Sequence, residues 1–453
     1  MSEQCTRRLR LRPEVSLATD AGGRVALVHG ARWGEQLGAL SVADRELLHG
    51  LAAGEHPEPE LLARFGAAGR TLLHRLRAGG WLTIHFGHGA RALLTVRPLG
   101  PNREPRLAGP PVVPRLSRFA LLHRDSDTLL LEAPLCRAAV VVHDAEIMAL
   151  LHHLAVRGGS GAPVRLPAGV VAELVTELAW YGFVREAEED VRPDLSDEQW
   201  SQHELWFHAR SRSGFHDQPF GGTLWAATKY PPLPARREPW SGTAVALPEP
   251  APDPTPPSFN AVLDSRRSVR AWDDAHPLTV AQLGEFLYRA GRVRRVAVDG
   301  RHEVSRRPSP SGGALHSLEI YPVANNVAGL ATGMYHYDPF AHVLEPVPVG
   351  EPAVRQLVDH ARTAAGGTLP PHVLLVLSAR FGRVMWKYQS MAYALILKDL
   401  GALMQTMYLV ATAMNLAPCA LGSGDADLFA QATNLDQRTE ASVGEFLLSA
   451  PAG

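Results

Sequence analysis

The sequence has few cysteines and no long uncharged hydrophobic segment. Cys5, Cys136 and Cys419 lie far apart, without the paired spacing of a zinc site or the density of a disulfide-stabilised secreted domain. No run of about 18 uncharged apolar residues is present. The N-terminal Arg7 and Arg8 are not followed by the apolar segment of a signal peptide. These absences predict a cytoplasmic protein that has no metal site and does not cross a membrane.

The sequence also lacks a net charge and is poor in lysine. Its 45 basic and 46 acidic residues give a formal charge of -1, so it has no overall positive charge to attract nucleic acid or anionic lipid. Lysine occurs only at Lys229, Lys387 and Lys398. A genome rich in G and C favours arginine codons, so the rarity of lysine says nothing about function by itself.

The clearest internal boundary is rich in proline. Ten prolines fall among the 27 residues from Pro231 to Pro257, which favours an extended, polyproline-like linker. A pre-catalytic segment and this linker are predicted over residues 191–258. The C-terminal part that follows, residues 259–453, is large enough for one α/β or α+β domain.

A repeat occurs in the N-terminal half at an offset of 100 residues. The segment Asp-Arg-Glu-Leu-Leu at Asp44 returns as Asp-Ala-Glu-Ile-Met at Asp144. Strand-like sequence precedes each copy, and a second helical segment that stops at a glycine-marked strand follows each copy. This order predicts tandem winged-helix-like units over residues 1–95 and 110–190.

Winged-helix units can bind either DNA or peptides. The second helical segment offers two basic residues in the first copy (72–77) and none in the second (170–179), which suits DNA poorly. Such a unit can instead accept a peptide as an added strand at its sheet edge. We therefore expect a peptide partner and no nucleic acid.

An arginine-rich turn lies between two predicted helices of the C-terminal part. Arg266, Arg267, Ser268 and Arg270 can clamp a phosphate or the polar edge of a flavin by charge-assisted and hydroxyl hydrogen bonds. In a chain this rich in arginine, the same turn can also be a solvated surface.

Two loops of small residues follow in the C-terminal part. Glycine and serine let backbone N–H groups approach a planar or anionic ligand. The residues in question are Ser309, Ser311, Gly312 and Gly313 in the first loop and Gly422 and Gly424 in the second.

In this order, the motifs resemble the flavin-dependent nitroreductase superfamily and, within it, the SagB-type dehydrogenases, the azoline oxidases of thiazole- and oxazole-modified peptide pathways. The segments that carry the resemblance are Arg-Arg-Ser-Val-Arg (266–270), Pro-Ser-Pro-Ser-Gly-Gly-Ala-Leu-His (308–316), Gly-Met-Tyr-His-Tyr-Asp-Pro (333–339) and Met-Trp-Lys-Tyr-Gln (385–389). The resemblance covers residues 195–449 closely and the N-terminal half more loosely.

The resemblance implies a homodimeric α+β flavoprotein that holds FMN noncovalently at its subunit interface. The arginine-rich turn would grip the phosphate, the loop at 309–313 would line the flavin from the partner subunit, and Gly422 and Gly424 would present backbone groups near its reactive N5 side. Related nitroreductases often add a basic residue near the C-terminus, which this chain lacks. Arg438 or the arginine-rich turn must then suffice for the phosphate.

The catalytic pair of the family falls on Lys387 and Tyr388. Dehydrogenating an azoline removes a proton from one ring carbon and a hydride from its neighbour, so a base must face the flavin across the ring. A lysine base must be uncharged, which requires desolvation or a nearby cation such as Arg383. From the residues alone, Lys387 can equally be a surface residue and Tyr388 a packed aromatic.

A long helix is predicted directly after this pair, over about residues 390–416. It is apolar nearly all round apart from Lys398 and Asp399, so we expect it in a core or in the dimer interface.

The resemblance implies FMN-dependent oxidation of thiazolines or oxazolines in a ribosomally made peptide, with oxygen reoxidising the flavin. The implied partners are a precursor peptide, whose leader the N-terminal units would recognise, and a cyclodehydratase. The alternatives are an NAD(P)H-dependent nitro or quinone reductase, an oxidase of another peptide or carrier-bound substrate, and a non-catalytic peptide-binding scaffold.

Overall fold

A computed structural model describes residues 5–30, 33–102, 111–159, 161–187, 195–214, 216, 218–251, 255–367 and 369–452. The chain divides into two compact units, Met1–Gln218 and Pro219–Gly453. Both units mix helices with largely antiparallel sheets, so the predicted α+β composition is confirmed.

The first unit contains twelve described strands and six described helices. The strands are β1 (Thr6–Leu11), β2 (Val15–Thr19), β3 (Arg24–His29), β4 (Trp33–Ala39), β5 (His56–Pro57), β6 (Leu82–His88), β7 (Arg91–Pro98), β8 (Pro114–Leu116), β9 (Leu121–Asp125), β10 (Thr128–Glu132), β11 (Ala138–Val142) and β12 (Val184–Glu186). The helices are α1 (Val42–Ala53), α2 (Glu58–Ala78), α3 (Ala145–Val156), α4 (Ala168–Trp180), α5 (Leu195–Glu198) and α6 (Gln202–Arg210).

The main sheet of the first unit has the order β5-β1-β6-β7-β11-β10-β9. Side chains alternate between its two faces. Leu9, Ile84, Phe86 and Val96 point to one face, where they form a core with residues of α1 to α4. The opposite face carries polar side chains.

The two copies of the N-terminal repeat fold differently in detail. The predicted helices are present, but Asp44 occupies the N3 position of a capping box with Ser41, whereas Asp144 is itself the N-cap of α3. After α2 the chain forms the β6–β7 hairpin, and after α4 the short β12 pairs back to β8. Pairing of β7 with β11 joins both copies in one sheet. The winged-helix assignment stays a prediction.

The second unit contains the C-terminal domain. Its strands are β13 (Gly221–Gly222), β14 (Val245–Ala246), β15 (Arg295–Asp299), β16 (His302–Arg306), β17 (Leu318–Ala324), β18 (Gly333–Asp338), β19 (Val343–Val347), β20 (Val373–Arg380), β21 (Tyr388–Gln389), β22 (Ala417–Leu421) and β23 (Glu440–Ser449). Its helices are α7 (Phe259–Ser265), α8 (Val280–Gly291), α9 (Glu351–Ala364), α10 (Phe381–Met385), α11 (Ala392–Ala413) and α12 (Ala426–Thr433), with a 3-10 turn at Gly312–Ala314.

A sheet of order β14-β19-β18-β17-β20-β23-β22 forms the centre of the second unit. Leu375, Leu377 and Phe446 pack on one face against α8 and α11. Val376 and Leu447 pack on the other face against α9 and α12. Cores on both faces hold the sheet rigid, and the loops at its edges carry the predicted motifs.

The proline-rich segment belongs to the second unit and does not serve as a free linker between the units. Its β14 pairs with β19. Arg237 donates to the Glu440 carboxylate at 3.3 Å, and the Trp240 N–H donates to Glu345 at 3.2 Å. Proline content indicated an extended backbone, but these long-range ion pairs and hydrogen bonds fasten the segment to the sheet.

Helix α11 lies where the long apolar helix was predicted. Among the described residues it is the one helix that is long and apolar enough to cross a membrane by length and composition. Its Ile396, Leu403 and Met407 are buried in the core of the second unit, and Lys398 is exposed. The helix is therefore part of the core of this unit.

Candidate active site

Lys387 and Tyr388 lie on a sharp turn between α10 and α11. The Lys387 N–H donates to the Val384 carbonyl at 3.1 Å, and β21, which starts at Tyr388, pairs with β13. Ser390 then takes a positive φ of 61° before α11 begins. The backbone turn that the adjacent pair required is therefore present.

The predicted flavin loop reaches the predicted catalytic pair. A methyl group at Gly313 would lie 2.7 Å from Tyr388 Oη and 3.5 Å from Lys387 Nζ. Gly313 also has a φ of 62°, which other residues rarely adopt. Only glycine allows the two side chains to approach the loop this closely.

Asp399 holds the loop in place from the first half of α11. Its carboxylate accepts hydrogen bonds from Ser311 Oγ at 2.6 Å and from the Gly312 N–H at 3.0 Å. Asp399 is 7% exposed, and burial raises its pKa while these two donors oppose the rise. The sequence indicated only a charged pair on an apolar helix at this point.

His302 is a second residue that the sequence did not single out. It begins β16, directly after the turn of the β15–β16 hairpin, and its Nε2 lies 3.3 Å from Lys387 Nζ. His302 is 6% exposed, and burial together with the positive charges of Lys387 and Arg383 lowers its pKa, against the opposing effect of Asp299. The Asp-Gly pair at 299–300 signals the hairpin, but nothing in the sequence signals the contact with Lys387.

Among the described residues, Arg383 forms no hydrogen bond with Lys387. It is 3% exposed, and its guanidinium donates to the backbone carbonyls of Leu233, Glu303 and Leu315. Burial lowers its pKa to about 10. Its positive charge acts on His302, and its hydrogen bonds fasten the β15–β16 hairpin to the turn of the catalytic pair.

The arginine-rich turn is fixed to α11 and β22. Ser268 Oγ lies 2.7 Å from Tyr408 Oη, and the Val269 N–H donates to the Pro418 carbonyl at 2.8 Å. The Arg266 guanidinium stacks 5.2 Å above the Tyr408 ring. Among the described residues, none of the arginines at 266, 267 and 270 has a carboxylate partner, so the cluster can neutralise a phosphate. The other candidate, Arg438, is bound to Asp436 at 3.0 Å.

Unsatisfied donors mark the space beside the flavin loop. Arg307 lines a cavity together with Ser309, Ser311 and Asp399. Its Nε and Nη2 are buried and have no hydrogen-bond partner, and burial lowers its pKa. Buried donors usually find a partner. The space therefore suits a ligand with carbonyl or phosphate oxygens, which a flavin mononucleotide has.

Asp399 and Tyr408 tie the two halves of the predicted flavin site to α11. They are nine residues apart, about two and a half helical turns, so their side chains leave the helix on opposite sides. The loop at 309–313 and the arginine-rich turn consequently contact opposite sides of α11.

Gly424 lies in a different environment, beside Glu445. A methyl group at Gly424 would overlap the Glu445 carboxylate, and both residues line a cavity with Phe429. Glu445 pairs with Val376, whose side chain is on the face covered by α9 and α12. This chain does not bring Gly424 to the face of Lys387, and the flavin contacts of Gly422 and Gly424 stay a prediction.

Comparison with known proteins identifies two segments of the chain. Residues 263–445 match the nitroreductase family, and residues 114–217 match the cyanobactin oxidase ThcOx family. The resemblance to the SagB-type azoline oxidases is confirmed by these matches together with the two relatives that follow.

Two curated relatives are peptide-processing proteins by name. The microcin B17-processing protein McbC of Escherichia coli is 33% identical over 146 residues, which cover 30% of this chain and 52% of McbC. The trifolitoxin-processing protein TfxB of Rhizobium leguminosarum bv. trifolii is 25% identical over 164 residues, which cover 36% of this chain and 44% of TfxB. The match thus spans about half the length of these relatives.

A solved structure is similar as well. It is the E. coli microcin synthetase McbBCD complex with truncated pro-MccB17 bound, with a TM-score of 0.35 and 23% identity, covering 58% of this chain and 99% of that chain.

Proposed function

Because residues 263–445 form a nitroreductase-family domain, we propose that the chain is an FMN-dependent dehydrogenase that oxidises thiazolines or oxazolines in a ribosomally made peptide to thiazoles or oxazoles. The observation that carries the proposal is the meeting of Lys387, Tyr388 and the Gly313 loop in one place. The names of McbC and TfxB, which process peptide products, support a peptide substrate.

The residues divide the work of the reaction between binding and proton transfer. The arginine-rich turn would hold the FMN phosphate, and the loop of Ser309, Ser311, Gly312 and Gly313 would line its ring. When bound, FMN would accept the hydride equivalent and deliver the electrons to oxygen. Lys387 Nζ would take the ring proton, and Tyr388 Oη, next to Gly313, would orient the ring by a hydrogen bond.

His302 is suited to accept a hydrogen bond from Lys387 after Lys387 has taken the ring proton. Its lowered pKa keeps the imidazole neutral at neutral pH, so Nε2 can accept a hydrogen bond from the lysine ammonium at 3.3 Å. Asp299, whose Oδ2 lies 3.9 Å from the same nitrogen, is largely exposed and opens a route to solvent.

The proposal is tested by mass spectrometry. Purified protein with FMN, incubated with an azoline-containing peptide in air, should remove the mass of two hydrogens per ring. A colourless protein that binds no FMN contradicts the proposal. Rapid flavin reduction by NAD(P)H, without azole formation, identifies a nitro or quinone reductase instead.

The assembly around this chemistry is also a proposal. A homodimer would complete each flavin site, a cyclodehydratase would supply the azolines, and the N-terminal unit would bind the leader of the precursor peptide. A cytoplasmic location fits the low cysteine content of the chain.

The double substitution Arg267→Gln and Arg270→Gln is expected to weaken FMN binding. A hydrogen bond to a charged group contributes about 1.5–3 kcal/mol, so each arginine that contacts the phosphate should account for about tenfold in affinity. Titration of the apoprotein with FMN, followed by quenching of flavin fluorescence, measures the change. Arg295→Gln, on the exposed strand β15, is the control. Unchanged affinity in the double variant would remove the turn from the phosphate site.

His302→Leu is expected to lower kcat by about tenfold or more, because leucine leaves the Lys387 ammonium without the hydrogen-bond acceptor that lies 3.3 Å from its Nζ. The pH dependence of kcat should also change on the acid side. His302 has a pKa below the usual 6.5, so it becomes protonated, and repels Lys387, only as the pH falls below that value. Wild-type kcat should therefore fall on the acid side, and this component should be missing in the variant.

The pH dependence of kcat, measured with FMN saturating, checks this role of His302. His276→Leu is the control, because His276 is exposed and pairs with Asp273. A variant with the wild-type kcat and an unchanged pH profile would show that His302 serves packing alone.

A further inference from the structure

A polar cleft lies on the face of the first unit's main sheet that the helices leave free. In β1, β6 and β7 the side chains of Leu9, Ile84 and Val96 point to the helices, so the alternate residues point the other way. The segment after β1 and the end of β3 form a wall beside this face. Together they border a cleft of about 580 Å³ that is open to solvent.

Positive charge predominates in the cleft. Arg10, Arg12 and Arg97 line it, and Glu14 is the one acidic residue among its lining side chains. Arg12 is 3% exposed, and its guanidinium contacts His29 Nε2 at 3.2 Å and the Glu14 carboxylate at 3.5 Å. The Glu14 carboxylate is thus already engaged by Arg12.

The two other arginines are not neutralised. Among the described residues, neither Arg10 nor Arg97 forms an ion pair, and Arg10 Nε is buried without a hydrogen-bond partner. Arg97 is exposed. Two guanidinium groups in one cleft, one of them with an unmet buried donor, require an anionic ligand with oxygen acceptors.

Hydrogen-bonding groups line the floor between the arginines. Thr83 and Thr95 are buried, and Thr95 Oγ1 lies 3.0 Å from His85 Nδ1 and 2.8 Å from His143 Nε2. Burial lowers the pKa of His85 while Glu55, 3.3 Å from its Nε2, opposes the fall, so the ring adds no positive charge at neutral pH and the threonine hydroxyls supply the hydrogen-bonding groups. The cleft can therefore contact both the charged and the amide groups of a ligand.

We propose that this cleft binds a carboxylate-rich stretch of the peptide substrate, outside the rings that are oxidised. The inference rests on the proposed function, because it takes the substrate to be a peptide. The planar fork of arginine matches a carboxylate. Duplex nucleic acid is disfavoured, because a DNA-binding protein typically contacts about six to ten phosphates and the cleft offers three guanidinium groups. The site differs from strand addition at a sheet edge, since it lies on the face of the sheet.

The probe is a fluorescein-labelled peptide of alternating glutamate and glycine, with glutamine in place of glutamate as the control peptide. Fluorescence anisotropy with the full-length protein measures binding without flavin turnover or an azoline. A negative binding result would therefore contradict this inference without testing the proposed oxidation. We expect the glutamate peptide to bind and the glutamine peptide to bind at least about tenfold more weakly.

Arg97→Gln and Arg10→Gln should each weaken binding of the glutamate peptide by about tenfold. Arg70→Gln is the matched control, because Arg70 is exposed on α2 and does not line the cleft. Circular dichroism verifies that all variants fold, and Arg97, being exposed, gives the variant least able to disturb folding.

Four outcomes overturn the inference. Equal binding of both peptides, or unchanged affinity in Arg97→Gln, removes the cleft from peptide recognition. Displacement of the peptide by an equal concentration of inorganic phosphate identifies a site for small anions. Stronger competition by a DNA duplex than by unlabelled glutamate peptide identifies a nucleic-acid site.

Discussion

Replacing Lys387 with alanine is expected to lower azoline oxidation by about 10²- to 10⁴-fold while FMN stays bound, as for the loss of a direct acid or base. Lys387 Nζ contacts His302 and lies against the Gly313 loop, whereas no contact ties it to the arginine-rich turn. The proton of the azoline ring then has no acceptor. Mass spectrometry measures the loss of azole formation, and the flavin absorbance of the purified variant shows whether FMN is still bound.

Lysine is rare in this chain, which supplies a matched control. Lys398→Ala removes the same side chain from an exposed position on α11 and should leave oxidation unchanged. Lys387→Arg should be as inactive as the alanine variant, because guanidinium keeps its proton at any ordinary pH. An active Lys387→Arg variant would exclude Lys387 as the base and leave it an electrostatic role.

Replacing Gly313 with alanine is expected to lower kcat by about 100-fold. The added methyl group would lie 2.7 Å from Tyr388 Oη, so the loop or the phenol must move by a large fraction of an ångström. A displacement of about 1 Å between reacting groups can cost about 100-fold in rate. The measurement is kcat and KM for the azoline peptide at saturating FMN.

Gly366→Ala is the control for backbone strain. Gly366 has a φ of 65°, close to that of Gly313, but a methyl group there would meet nothing within 4 Å. Both variants carry the same conformational cost, so only the contact with Tyr388 distinguishes them. Equal activity of the two variants would show that the close approach of Gly313 to Tyr388 does not matter for the reaction.

The sequence predicted the parts of the site that are local. The arginine-rich turn, the small-residue loop and the Lys387–Tyr388 turn each consist of neighbouring residues whose chemistry can be recognised without a fold. The meeting of the small-residue loop with the Lys387–Tyr388 turn could be inferred only from the family resemblance. The α+β composition followed from the family resemblance, and α11 lies within the range that its apolar composition indicated.

The residues that the sequence missed act through long-range contacts. His302 is 85 positions from Lys387, and Asp399 is 88 positions from Ser311. No local pattern specifies which loop such a side chain will reach. The proline-rich segment was misread as a linker for the same reason, since the ion pair of Arg237 with Glu440 spans 203 positions. The proline content indicated the extended backbone of this segment, but it could not reveal which residues the segment contacts.

The two halves of the predicted flavin site contact opposite sides of α11, and this arrangement has a consequence for genetic complementation. In the proposed homodimer, one chain would supply the phosphate-binding arginines of a flavin centre and the other chain its Lys387–Tyr388 turn. Alleles damaged at opposite ends of the centre would then complement each other when expressed together, since half of the centres in a mixed dimer receive both intact parts. Alleles damaged at the same end would not, so the pattern of complementation between alleles would report how the chains share the centre.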